Sequence, residues 1–189
     1  SLHDALPISV DFLKKDIDYT MLLRCLEERF GGTWYVFLRL HPQLLAALGS
    51  MPVEKKYSES GSALHGRIID VSALPDMAEI MAATDCIVTD YSTVIFEGFL
   101  TGQPGFIYAD DLDSYTADRG SLMFRPDEIP FPLARTNEEL VANIRDFDAE
   151  AYAHKCARFK ADMGMLDDGH AAERAVELME RCLAEWESV

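Results

Sequence analysis

Hydrophobic and polar positions along the chain switch between two rhythms. From Tyr19 to Phe30 the apolar residues Met21, Leu22, Leu23, Leu26 and Phe30 recur at helical spacing, and Gly31-Gly32 marks the stop. Trp34 to Leu38 is a short aromatic and β-branched run, which predicts a buried strand. Pro42 to Leu48 predicts a short helix ended by Gly49, residues 50–66 a loop or weak strand, and Arg67 to Val71 a second strand. Leu74 to Ala83 reads as a helix, with Pro75 and Asp76 suited to its first turn. Cys86 to Thr89 reads as a strand and Ser92 to Leu100 as a helix stopped by Gly102 and Pro104. Gly105 to Tyr108 is another buried strand. An acidic loop from Asp110 to Asp118 and a proline-punctuated segment to Pro132 follow. Thr136–Phe147, Glu150–Met163 and Gly169–Glu187 read as helices.

Strands alternating with helices predict an α/β fold: one Rossmann-like parallel sheet with helices on both faces. No internal repeat or second domain interrupts it, so residues 10–189 are expected to form a single domain. Residues 1–9 lack the basic and apolar regions of a signal peptide. They resemble translated adapter sequence, a non-native leader, and His3 is set aside with them.

Composition narrows the function. The chain has 189 residues, 49% hydrophobic and 26% charged, in keeping with one globular domain. It contains no apolar run of the ~20 residues that span a bilayer. Lys plus Arg number 17 against 33 Asp plus Glu, a formal charge of -16. That sign argues against a nucleic-acid partner and against a direct grip on anionic lipid. Phosphate ligands stay compatible, because backbone N–H groups hold them without net positive charge. Cysteines 25, 86, 156 and 182 form no C-x-x-C pair and have no His at zinc spacing, so they read as core thiols of a reducing compartment.

In open α/β sheets, ligands bind beyond the carboxyl ends of the strands. Three motifs fall there. Arg39-Leu40-His41-Pro42 follows the first strand. Arginine offers a planar fork suited to phosphate, and histidine can donate to an oxygen or move a proton. A strand-end turn with two solvated side chains uses the same residues equally well. Thr89-Asp90-Tyr91-Ser92-Thr93 places the first N–H groups of a helix at the sheet edge, with two hydroxyls beside them. Simple helix capping by Asp90 or Ser92 is compatible with that use. Neither a G-x-G-x-x-G nor a Walker sequence accompanies it. Asp118-Arg119-Gly120 combines a phosphate-reaching arginine with a glycine that permits close backbone approach, although an ordinary loop arginine explains it too. Asp110, Asp111 and Asp113 lack the spacing of a calcium loop and read as a solvated acidic loop. Asp167-Asp168-Gly169-His170 is first of all a helix cap. His65 and His154 read as surface residues.

Taken in order, these pieces resemble the CDP-glycerol glycerophosphotransferases, the teichoic acid primases and polymerases. The resemblance is carried by Arg39-x-His41-Pro42, Asp85-x-x-x-Thr89-Asp90-Tyr91-Ser92-Thr93-x-x-Phe96-Glu97, Pro104-x-x-x-Tyr108, Tyr115-x-x-x-Arg119-Gly120 and Asp168-Gly169-x-Ala171. It continues through Thr136-x-x-Glu139-Leu140. It implies the C-terminal, donor-binding half of a GT-B fold, with an N-terminal half that helps bind the acceptor missing. It also implies transfer of glycerol phosphate from CDP-glycerol to a hydroxyl of a membrane-linked acceptor, with release of CMP. By the same resemblance His41 and Arg39 are catalytic. Asp90, Ser92, Thr93, Glu97, Arg119, Gly120 and Asp168 bind the donor. The resemblance further implies that no metal or other cofactor is needed and leads to the expectation of a cytoplasmic parent protein, peripheral on the inner face of the plasma membrane. The chain departs from the family pattern at Thr93, where serine is usual, at Glu97, where aspartate is usual, and at His170, where lysine is usual. Two rival readings remain at this point: a GT-B glycosyltransferase using a nucleotide sugar, and a non-catalytic nucleotide-binding domain.

Overall fold

The computed structural model describes residues 17–40, 64, 66–120, 124–166 and 168–187. The expected helix 42–48 and nearly all of the loop 50–66 lie outside those residues.

Helix α1 (Tyr19–Phe30) is capped by the Asp18 carboxylate, which accepts from the Met21 N–H at 2.9 Å. Gly31 closes it at φ 74, a conformation that glycine adopts without strain. The helix buries Tyr19, Leu22, Leu23, Cys25 and Leu26 on one face. That face packs against α5 (Asn137–Arg145). Arg29 fastens the pair by donating to the carbonyls of Arg145 at 3.1 Å and Phe147 at 3.0 Å.

Strands β1 (Val36–Leu38) and β2 (Ile68–Asp70) pair in parallel, with Phe37 opposite Ile69. Helix α2 (Met77–Ala82), capped by Asp76, leads to β3 (Ile87–Thr89). Helix α3 (Val94–Leu100) crosses to β4 (Gly105–Tyr108), and α4 (Leu112–Arg119) precedes β5 (Leu133–Ala134). The order β3-β4-β5 is parallel throughout. All of β4 is buried, as a central strand covered on both faces should be. Helices α5, α6 (Ala149–Asp162) and α7 (Ala171–Glu187) finish the chain.

The expectation of one continuous sheet is corrected. Hydrogen bonding among the described residues divides the strands into a two-stranded and a three-stranded parallel sheet. The layer pattern nevertheless holds, because Val36, Leu38 and Ile68 pack on the same hydrophobic cluster as Val88, Phe106 and Ile107. Phe96, Phe99, Phe131 and Phe159 form an aromatic knot within it, with neighbouring ring centroids 5.3 to 5.9 Å apart.

Two local readings also change. The acidic stretch after β4 is a helix, α4, not a loop. It buries Leu112, with Tyr115 and Thr116 half-buried beside it at i+3 and i+4, too narrow a stripe to register as apolar periodicity. Strand β5 is two residues long and emerges from the proline-rich segment unannounced. Among the cysteines, Cys25 is buried, Cys86 and Cys156 are half-buried, and Cys182 is exposed rather than in the core.

Candidate functional site

The carboxyl ends of β3, β4 and β5 face the same edge because the three strands are parallel. Three connections therefore start there: Asp90 to Thr93, Ala109 to Asp111, and Arg135 to Thr136.

The first enters α3 through a tight turn. The Phe96 N–H donates to the Thr93 carbonyl at 3.0 Å and the Ile95 N–H to the Ser92 carbonyl at 3.5 Å, a 3₁₀-type start. Thr93 makes no side-chain cap, and Ser92 Oγ accepts only at 3.4 Å from the Val94 N–H. Helix α3 thus begins two residues later than the sequence suggests and is not capped by its Thr93 side chain. Ser92, Thr93 and Glu97 are exposed, and Glu97 lies in the first turn of α3.

Tyr91 ties this turn to α4. Its hydroxyl donates to Asp111 Oδ1 at 2.7 Å, and its ring stacks on Tyr115 with centroids 3.8 Å apart and planes 23° apart. Burial, reinforced by Asp111, Asp90 and Asp110, pushes the Tyr91 phenol well above its ordinary range. The tyrosine therefore stays a protonated donor.

The third connection meets the first turn of α4 through Arg135, whose guanidinium grips Asp113 with two bonds of 3.1 Å. The Glu139 carboxylate accepts from the Arg135 N–H at 2.6 Å, while the Thr136 hydroxyl accepts from the Glu139 N–H at 3.2 Å. This is close to a capping box. The acidic cluster Asp110, Asp111 and Asp113 is accordingly not simply solvated, since two of its members hold partners on other connections. No group of three or more metal-ligating side chains occurs among the described residues.

The other predicted residues are distributed as follows. Gly120 ends α4 at φ 88, its N–H donating to the Thr116 carbonyl at 3.0 Å. Arg119 is the last residue of α4, one turn beyond Tyr115, so its position on the helix is fixed although its side chain lies outside the description. Arg39, at the end of β1, donates to the Leu74 carbonyl at 2.7 Å, on the segment that follows β2. His41 lies outside the described residues. Asp168 accepts from Arg174 at 2.8 and 2.9 Å and from the His170 N–H at 3.0 Å. The Arg174 bond lowers its carboxyl below the ordinary range. These bonds order the turn that leads into α7, and the Asp168 side chain has no described bond from a backbone N–H of that helix.

The described contacts therefore join residues 90–93 to α4, which carries Arg119 and Gly120. They attach Arg39 and Asp168 to other elements. Sequence reasoning gave no role to Tyr91, Asp111, Tyr115 or Arg135. The first and third already stood inside the motifs, and an aromatic beside each phosphate-type motif was the available signal.

Known proteins resemble the chain along most of its length. The chain is 27% identical over 176 residues to the teichoic acid poly(glycerol phosphate) polymerase of Staphylococcus epidermidis, covering 92% of this chain and 22% of that one. It is 33% identical over 108 residues to the teichoic acid glycerol-phosphate transferase of Staphylococcus aureus, covering 56% of this chain and 28% of the relative. Among solved structures, the wall teichoic acid polymerase TagF superposes with a TM-score of 0.60 at 25% identity, over 88% of this chain and 38% of TagF. A variant of TagF soaked with CDPG gives the same TM-score over 89% of this chain and 40% of the other. The chain thus spans well under half the length of these proteins. The family model described as CDP-Glycerol:Poly(glycerophosphate) glycerophosphotransferase matches residues 10–181. By that match over most of its length, the chain belongs to the CDP-glycerol:poly(glycerophosphate) glycerophosphotransferase family.

Proposed function

We propose that residues 10–189 are the donor-binding domain of a transferase that moves glycerol phosphate, or a related polyol phosphate, from its CDP-linked form to a hydroxyl of a membrane-linked acceptor. The family match over residues 10–181 is the observation that carries this reading. The CDPG-soaked TagF variant, with which the fold is shared, supports the choice of donor.

In the proposed reaction the acceptor hydroxyl attacks the phosphorus bonded to the polyol. A new P–O bond forms, the bond to the bridging oxygen breaks, CMP leaves, and the hydroxyl proton is lost to a base. Such chemistry depends mainly on positioning and on stabilising charge. The turn 90–93 offers the Ser92 and Thr93 hydroxyls and backbone N–H groups to the diphosphate. Arg39, His41 and Arg119 offset charge building on CMP, or His41 instead donates a proton. Asp90 and Glu97 order the turn or contact the nucleotide, Gly120 lets the donor approach the backbone, and Asp168 is a further contact at the same site. Acceptor alignment is assigned to an N-terminal half, and the working location is the cytoplasmic membrane face. No described helix is long and apolar enough to cross a membrane.

A donor screen tests the reading. A longer form of the protein carrying the other half is expected to turn over CDP-glycerol or CDP-ribitol and to ignore UDP- and GDP-sugars. His41→Ala in that form should abolish most transfer. Turnover of a nucleotide sugar instead would replace this reading with a glycosyltransferase.

A further inference from the structure

Asp111 occupies the position that caps α4, yet its side chain makes no capping bond to that helix. Its Oδ1 instead accepts the Tyr91 hydroxyl at 2.7 Å, across 20 residues of sequence. An aspartate at this position ordinarily caps its helix, so the carboxylate is used elsewhere at some expense to α4. The Tyr91 ring is fixed a second time, by its stack on Tyr115 in the middle of the same helix. Meanwhile the turn that follows Tyr91 has little capping of its own, with Thr93 uncapped and Ser92 Oγ reaching the Val94 N–H at only 3.4 Å.

The geometry points to Tyr91 as a positioning residue: through Asp111 and Tyr115 it holds the Ser92-Thr93 turn at a fixed distance from α4, so that two walls of the donor site are set before donor binds. This role rests on the donor-site reading above. Tyr91 does not itself need to touch the donor. Its two anchors differ in kind, since the hydrogen bond is directional and the stack restricts tilt. Together they leave the turn little freedom to rotate, and a preorganised turn loses less entropy on binding.

Three variants of this chain separate the possibilities. Tyr91→Phe keeps the ring and removes the hydroxyl. Asp111→Ala removes the acceptor. Asp111→Asn keeps an oxygen that can accept from the phenol. Hydrogen exchange of residues 91–96 is expected to speed up roughly tenfold in Tyr91→Phe and Asp111→Ala, as loss of a hydrogen bond to a charged group implies. Exchange of α1, which packs on α5 rather than on the turn, should stay as in the parent. CDP affinity, measured by calorimetry, should fall roughly tenfold in the same two variants, and Asp111→Asn should recover most of both losses. A parent chain that binds CDP while Tyr91→Phe binds it equally tightly overturns the positioning role and leaves the donor reading standing. Unchanged exchange at 91–96 overturns it as well. A parent chain that does not bind CDP overturns the donor reading itself, and this role with it.

Discussion

The Tyr152 hydroxyl, on α6, accepts from the Gly105 N–H at 3.1 Å and donates to the Gln103 carbonyl at 3.1 Å, so one phenol holds the helix against the amino end of the central strand. Gly105 is buried and begins β4, where an unpaired N–H would have no water to turn to. Tyr152→Phe keeps the packing and strands that donor. It is expected to cost about 1–3 kcal/mol of unfolding free energy. Urea unfolding measures it directly, and a change below about 0.5 kcal/mol would show that the bond is immaterial.

Gly98 lies inside α3, where alanine would ordinarily favour the helix. Here a Cβ would sit 2.0 Å from Ile87 Cδ1 and 3.2 Å from both Gln103 Oε1 and Met81 Cε. The close approach of α3 to β3 therefore requires glycine. Gly98→Ala is expected to destabilise by about 1–3 kcal/mol despite the better propensity. Thermal unfolding of the variant should show a lower midpoint. Adding Ile87→Val, which shortens the obstructing side chain, should recover part of it.

Burial, with a smaller contribution from Asp85, pushes the Cys86 thiol up to about 11 from an ordinary 9.0. The folded state thus holds this proton more tightly than the unfolded chain does. The associated stability is complete below pH 9.0 and is lost as pH rises through about 11. That rise corresponds to about 3 kcal/mol. Between pH 8 and 11.5, Cys86→Val should lose less stability than the parent by about that amount in matched denaturant titrations. Thiol labelling at pH 8 should meanwhile modify the exposed Cys182 first and leave Cys86 until the protein unfolds.

Much of this architecture was legible in the sequence because its central strand β4 is buried on both faces and its helices are punctuated. Gly31 ended α1, Asp76 marked the start of α2, and the apolar run 105–108 could hardly be anything but a central strand. What escaped notice had a weak local signal. Helix α4 buries too few side chains to show a period, and β5 depends on pairing with Ile107 and Tyr108 rather than on its own two residues. The turn 90–93 stood out in the sequence by its hydroxyls. Its tether was not, because Tyr91 and Asp111 are neighbours only after β3 and β4 pair.

Arg119 gives the donor site a test within a single side chain. A charge-assisted bond to phosphate is worth about 1.5–3 kcal/mol, so Arg119→Ala should weaken CDP by roughly ten- to a hundredfold. Arg135→Ala breaks the Asp113 pair at the same edge and is expected to change stability by less than about 1 kcal/mol, since both partners are largely exposed. Equal losses of CDP affinity in the two variants would show that the arginines act on the general field of the edge rather than on a bound phosphate.

The most direct measurement is a calorimetric titration of this chain with CDP, UDP and GDP under identical salt. A donor-binding domain for a CDP-linked polyol should bind CDP, bind UDP and GDP more weakly, and carry out no transfer when CDP-glycerol is supplied with acceptor. Equal binding of the three nucleotides, binding of none, or transfer by this chain unaided would contradict it.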